Sequence, residues 1–324
     1  MSPIEPSQAP EPVDLRPLGN TGLLTSPVTV GTSFLGDPAS ADGSPAPGAG
    51  GLARAMLDGP YALVDTSNAY AGGRSETALG EAIRLGGLPG GHGVVSKADR
   101  DPSTGVLDRD RVLRSFEESI SRLGVERIPI FHLHDPYSVP FAEAAAPDGA
   151  IEGMLELREQ GLVDAIGVAA GRLSVMRDYV GTGVFDVLLN HNRFTLVDRS
   201  ATALFEEARS RGMGVFNAAP FGGGVLAARG GRDGKPATYA YQEGTPELLA
   251  WVASAGDLAD AHGIPLAAAA LAFSTRSPLV DSTVVGMGRA ERLTQVEALR
   301  TTPIPESFWT DLEALGSPPS TVTD

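Results

Sequence analysis

Short apolar runs alternate along the chain with longer amphipathic stretches. The runs fall at 28–33 (VTVGTS), 61–67 (YALVDTS), 93–97 (GVVSK), 128–134 (IPIFHLH), 163–169 (VDAIGVA), 185–190 (FDVLLN), 214–219 (GVFNAA) and 282–287 (STVVGM). The stretches between them predict helices near 51–58, 74–86, 109–123, 147–160, 172–180, 198–212, 265–276 and 289–299, with an extra helix at 246–262 after the seventh strand. Strands alternating with helices imply right-handed βαβ units on a parallel sheet. Eight units favour closure into an α/β (β/α)8 TIM barrel. The competing arrangement is an open doubly wound sheet, which would carry a G-x-G-x-x-G turn after its first strand. VTVGTSFLG has no such turn.

Outside this alternation, residues 1–13 are rich in Pro, Ser and acid and read as a disordered arm. Gly19-Asn20 and Thr21-Gly22 sit between apolar pairs and predict an N-terminal β-hairpin. Residues 14–318 then form a single catalytic barrel, followed by a tail at 319–324. Two Gly-rich loops, 36–50 and 222–245, have no periodicity. The second is too long to be filler and follows a late strand, where barrel enzymes place phosphate sites and lids.

Composition narrows the function. A net charge of −15 and a pI near 4.7 argue against a nucleic-acid partner, which rewards clustered Lys and Arg. The absence of cysteine removes disulfides, thiolate nucleophiles and Cys-ligated metals. The start, MSPIEPSQAPEPVD, lacks the basic and apolar regions of a signal peptide. No run approaches the ~18 apolar residues of a membrane span. A cytoplasmic protein with a small-molecule substrate and no membrane partner is expected; the oligomeric state stays open.

Barrel chemistry gathers at the C-terminal ends of strands. Strand two ends at Asp65, with Tyr70 five residues on; strand three ends at Lys97 and strand four at His134-Asp135-Pro136. Side chains alternate along a strand, so Leu63 and Asp65 share a face, as do Val95 and Lys97, and Ile130, His132 and His134. If that face points inward, Asp65, Lys97 and His134 converge at the mouth with Tyr70 above them.

VDTSNAYAGGRSETALGEAI, VVSK, FHLHDP, GVFNAAPFGGGVL and STVVGMGRAERL resemble segments of the aldo-keto reductases across about residues 15–300. HDP, NRFTLVDRSA and ALAFSTRSPLVDSTVVGMG resemble most the branch that oxidises aldoses such as fucose or D-threo sugars. The resemblance implies an NAD(P)-dependent oxidoreductase that interconverts an alcohol or hemiacetal with a carbonyl or lactone. Tyr70 would be the acid/base, Lys97 would lower its pKa, Asp65 would hold Lys97, and His134 would fix the substrate oxygen. Hydride would pass to or from a nicotinamide, since no metal or flavin motif is present. NADP is the first choice and NAD the alternative.

For the dinucleotide the resemblance implies Gly31, Thr32, Ser33, Asp65, Asn190, His191, Pro220, Phe221, Gly222, Gly224, Gly286, Gly288, Arg289, Arg292 and Gln295. Glycine-rich backbone suits a pyrophosphate. The chain also departs from the family. Ala169-Ala170 replaces a Ser-Asn pair that grips the carboxamide, His191 a Gln, Gly286 a Lys that faces a 2′-phosphate, and Gln295-Val296 a Glu-Asn pair. Phe34, Phe194 and Phe221 are pocket or core residues. His132, deeper on the His134 face, reads as a hydrogen-bonded core histidine. Two further readings stand beside the leading one: a cofactor-binding regulatory subunit of the same fold, and a metal-dependent barrel hydrolase built on His132-x-His134.

Overall fold

The computed structural model describes residues 11–36, 48–227 and 237–319. The expected N-terminal arm as far as residue 10, the tail from residue 320, and positions 37–47 and 228–236 of the Gly-rich loops lie outside the described residues.

β1 (Arg16–Pro17) and β2 (Leu24–Thr25) pair as the antiparallel hairpin. β3 (Val28–Gly31), β4 (Leu63–Asp65), β5 (Gly93–Ala98), β6 (Ile128–His134), β7 (Val163–Ala170), β8 (Val187–His191) and β9 (Gly214–Ala218) follow as parallel strands. β10 (Thr238–Tyr239) and β11 (Gln242–Glu243) form a second small hairpin. β12 (Ser282–Gly286) lies between β9 and β3 and closes an eight-stranded barrel, with Gly286 opposite Gly31. The open-sheet alternative is thereby ruled out.

The helices are α1 (Ala49–Leu57), α2 (Arg74–Gly86), α3 (Arg109–Leu123), α4 (Phe141–Ala144), α5 (Ala150–Glu159), α6 (Leu173–Gly181), α7 (Thr202–Ser210), α8 (Pro246–Ala261), α9 (Leu266–Thr275), α10 (Glu291–Arg300) and α11 (Glu306–Ala314). The expected elements are all present, most of them shifted or trimmed by a few residues. The short α4, the terminal α11 and the β10–β11 hairpin were not expected. In α11 the buried apolar positions are Phe308 and Leu312 alone, too few to show a period. Capping sets the sharpest helix starts. The Asp108 carboxylate accepts the Arg111 N–H of α3, and the Thr245 hydroxyl accepts the Leu248 N–H of α8.

Alternation along the strands divides the core in two. Leu63, Val95, Ile130, Ala165, Val187, Leu189, Phe216 and Val284 fill the barrel interior, while Val28, Val30, Phe131, Ile166 and Leu188 face the helices. Leu18, at the turn between β1 and β2, is fully buried and joins the interior cluster. A Cβ on Gly214 would lie 2.6 Å from its Cδ1. Leu18 therefore plugs the barrel at the N-terminal end of β9, leaving chemistry to the opposite mouth. No helix among the described residues is long and apolar enough to cross a membrane.

Candidate active site

At the mouth, Lys97 is buried at the end of β5. Its Nζ donates to Asp65 Oδ1 at 2.7 Å, to the Thr66 carbonyl at 2.5 Å and to the Tyr70 hydroxyl at 3.2 Å. Three acceptors use all three ammonium protons. Tyr70 comes from the turn after β4, where Ala71, Gly72 and Gly73 all have positive φ, at 52°, 65° and 85°. Asn68 pins that turn to α3. Its amide donates to Glu118 Oε2 and the Ser115 carbonyl, and its Oδ1 accepts from Arg111. Gly73, at φ 85°, takes the left-handed backbone that favours glycine, with the Arg122 guanidinium lying over it.

Burial pushes the Tyr70 phenol up, to about 12; Lys97 pulls it down and Asp65 raises it. The sequence reading expected Lys97 to leave the phenol below its ordinary value. The ammonium does act in that direction, but loss of water outweighs it. For Lys97 itself, burial works against the charge, and Asp65 with Tyr70 outweighs burial and raises the amine.

His134 ends β6, its ring edge-to-face with Tyr70 at 5.9 Å between centroids. Asp99, which the sequence reading missed, holds it: Oδ1 lies 2.7 Å from His134 Nδ1. Asp99 Oδ2 accepts the Ser67 hydroxyl and the Ala69 N–H. Burial acts to raise the Asp99 carboxyl, but His134 and these donors hold it below its ordinary value. Burial likewise opposes charge on His134, and Asp99 outweighs it and raises the imidazole. Asp99 follows Lys97 by two residues, just past the end of β5, and stays on the side to which strand alternation points Lys97.

His132 is fully buried in the barrel interior, edge-to-face with Phe216, and its ring leaves no space for a Cβ on Gly167. It was expected to be hydrogen-bonded. Instead neither ring nitrogen has a partner, and burial, with Lys97 and His134 adding, drives its pKa well down, so it is neutral. Among the described residues, no group of three or more His, Asp or Glu is arranged to hold a metal ion.

The residues expected at the dinucleotide divide. Gly31 and Gly286 lie side by side where β3 meets β12, and a Cβ on Gly286 would lie 3.1 Å from the Phe34 ring, itself 61% exposed. Thr32 is buried and donates to the Asp65 carbonyl, while Ser33 is exposed. Pro220, Phe221 and Gly222 are buried, and Gly222, Gly223 and Gly224 all have positive φ. The Arg292 guanidinium stands 5.5 Å from the Phe221 ring, joining this turn to α10; Gly288, Arg289 and Gln295 are exposed beside it. His191 is half-buried at the mouth, where burial lowers its pKa. Asn190 is turned to the helix side of the wall, donating to the Ala170 and Gly171 carbonyls. It is not brought to the mouth. Phe194 is core, tilted against Phe205 and Phe273.

The β10–β11 hairpin was also missed, for want of periodicity. Tyr239 Oη donates to the Asn192 carbonyl and is 2.9 Å from the Thr195 hydroxyl. Ala240 and Tyr241, at φ 48° and 69°, turn the hairpin and hold Tyr241 85% exposed, 6.0 Å from His191 in an edge-to-face contact.

A closed parallel barrel thus carries a buried lysine–carboxylate–phenol cluster and a histidine at its C-terminal mouth. Residues 27–317 match the Aldo/keto reductase family, and the chain belongs to it. It is similar to pyridoxal 4-dehydrogenase of Microbacterium luteolum, 28% identical over 93% of this chain and 97% of that one. L-galactose dehydrogenase of Arabidopsis thaliana is 28% identical over 96% and 93%. D-threo-aldose 1-dehydrogenase of a Pseudomonas species is 32% identical over 61% and 59%. A solved aldo-keto reductase of Bacillus halodurans, in its holo form, superposes with a TM-score of 0.73 at 19% identity, covering 93% and 95%, and shares the fold. The protein is thus an NAD(P)-dependent oxidoreductase.

Proposed function

We propose that the chain oxidises a cyclic hemiacetal, an aldose in its ring form, to the lactone, with Tyr70 as the acid/base. The observation that carries this reading is the 3.2 Å contact between Tyr70 Oη and an ammonium whose other two bonds go to Asp65 and a carbonyl. The names of the relatives support the substrate class. Galactose and threo-aldoses close into rings through their own hydroxyls, and pyridoxal carries a hydroxymethyl next to its aldehyde. All three present a hemiacetal C–H and O–H on one carbon.

A nicotinamide, when bound, supplies the hydride carrier. The residues fit such a group. Gly31, Gly286 and the Gly222–Gly224 turn leave backbone bare of side chains, and Arg289 and Arg292 suit phosphates. Two arginines beside this turn favour NADP, with its additional phosphate, over NAD. Tyr70 takes the hydroxyl proton as the C–H bond yields its electron pair, and returns it in the reverse direction. Lys97 stabilises the phenolate so formed, Asp65 keeps Lys97 charged and aimed, and His134 positions the substrate oxygen. Turnover of NADP or NAD with an aldose panel, followed at 340 nm, tests the reading; no absorbance change with any pair in either direction would overturn it.

A further inference from the structure

We propose that Asp99 is a positioning residue that holds His134 as an imidazolium, its Nδ1–H given to the carboxylate, so that the mouth presents a second fixed cation besides Lys97 to the Tyr70 hydroxyl. The proposal rests on the oxidoreductase reading for its purpose, but the pairing is testable without any substrate.

The hydrogen-bond inventory carries it. Asp99 Oδ2 already accepts the Ser67 hydroxyl and the Ala69 N–H, and Oδ1 faces His134 Nδ1 at 2.7 Å. With Oδ2 taken by two donors, Oδ1 is the oxygen left to accept, and Nδ1 carries the proton of the 2.7 Å bond in the neutral tautomer and in the charged ring alike. A carboxylate paired with a largely buried imidazole favours the charged ring. Ser67 Oγ, 3.3 Å from Nδ1, braces the same side. Nε2 is left to the mouth, with Asp135 Oδ2 3.9 Å away.

Asp99 beyond β5 and Asp135 beyond β6 favour the cation; burial and Lys97 of β5 oppose it. His132 of β6 is neutral, and His191 of β8 is held below its ordinary value. Tyr70 after β4 is a neutral phenol at rest. The nearest opposite charge wins, and the raised His134 agrees. The chemical consequence falls on Tyr70. The imidazolium beside the phenol favours phenolate, while the Asp99 carboxylate behind it acts the other way.

The test is an NMR titration of the His134 ring in histidine-labelled protein, its resonance assigned with His134→Gln, in the wild type and in Asp99→Asn. The expected midpoint in the wild type lies above the ordinary imidazole value of about 6.5, and Asp99→Asn lowers it. A wild-type midpoint at or below 6.5 overturns the proposal, as does an unchanged midpoint in Asp99→Asn. The wild-type titration decides the matter even if the variant fails to fold. If the ring titrates as expected but no aldose is turned over, the pairing stands and the functional reading falls.

Discussion

At the scale of single residues, the site is a contest between desolvation and neighbouring charge, and the contest has a different winner at each group. Burial wins at Tyr70, leaving a phenol near 12; ion pairing wins at Lys97 and His134. A phenol that stays protonated at neutral pH is ready to donate, so carbonyl reduction should run at neutral pH while oxidation climbs with pH. Initial rates in both directions across pH 6–10 check the sign. Tyr70→Phe should cut turnover by about a hundred- to ten-thousand-fold while dinucleotide binding, read by fluorescence quenching, stays largely intact. Lys97→Met strands Asp65 as a buried charge and should cost about 3–5 kcal/mol in urea unfolding, part of which Asp65→Asn in the same chain restores. The pair Asp99–His134 sets two limits of its own. The depressed Asp99 contributes stability above its unfolded value of about 3.9, lost as pH falls through the folded one. The raised His134 contributes below about 6.5, lost as pH rises through its folded value. Their joint contribution is therefore fullest between those limits, and unfolding measured from pH 3 to 9 should lose it on both sides in the wild type but not in Asp99→Asn.

At the scale of elements, what could be read from sequence was whatever has a period. Strand alternation points Asp65, Lys97 and His134 to one face, and Asp99 escapes the rule because β5 ends at Ala98, one residue before it. Asn190 shows the rule from the other side. One residue from His191, it faces the helices, because neighbours on a strand point oppositely. What period cannot reveal is loop structure. The β10–β11 hairpin depends on two non-glycine residues with positive φ and on the buried anchor Tyr239, and neither leaves a pattern. The exposed ring of Tyr241 beside His191 is suited to cover the apolar face of a sugar. Tyr241→Ala should raise KM for an aldose several-fold with little change in kcat or in dinucleotide affinity, checked by steady-state kinetics. Tyr239→Phe, which loses the bond to the Asn192 carbonyl, should act in the same direction and cost about 1–3 kcal/mol.

At the scale of the whole molecule, stability and chemistry sit at opposite ends of the barrel. Leu18 seals one end and the ionisable cluster occupies the other. Leu18→Ala should lower stability by about 2–5 kcal/mol through the cavity it leaves, with turnover at low temperature unaffected; calorimetry and a rate assay separate the two. The seam of the barrel has a further consequence. Thr283 pairs with Val28 and Gly286 with Gly31, so the earliest wall strand to leave the ribosome is zipped to the latest. A nascent chain must keep the exposed margin of β3 unpaired through some two hundred and fifty residues of synthesis, waiting for its partner. A fragment ending at residue 281 would carry two raw margins, one on Val28–Gly31 and one on Gly214–Ala218, and should self-associate, visible as light scattering at concentrations where the full chain stays clear.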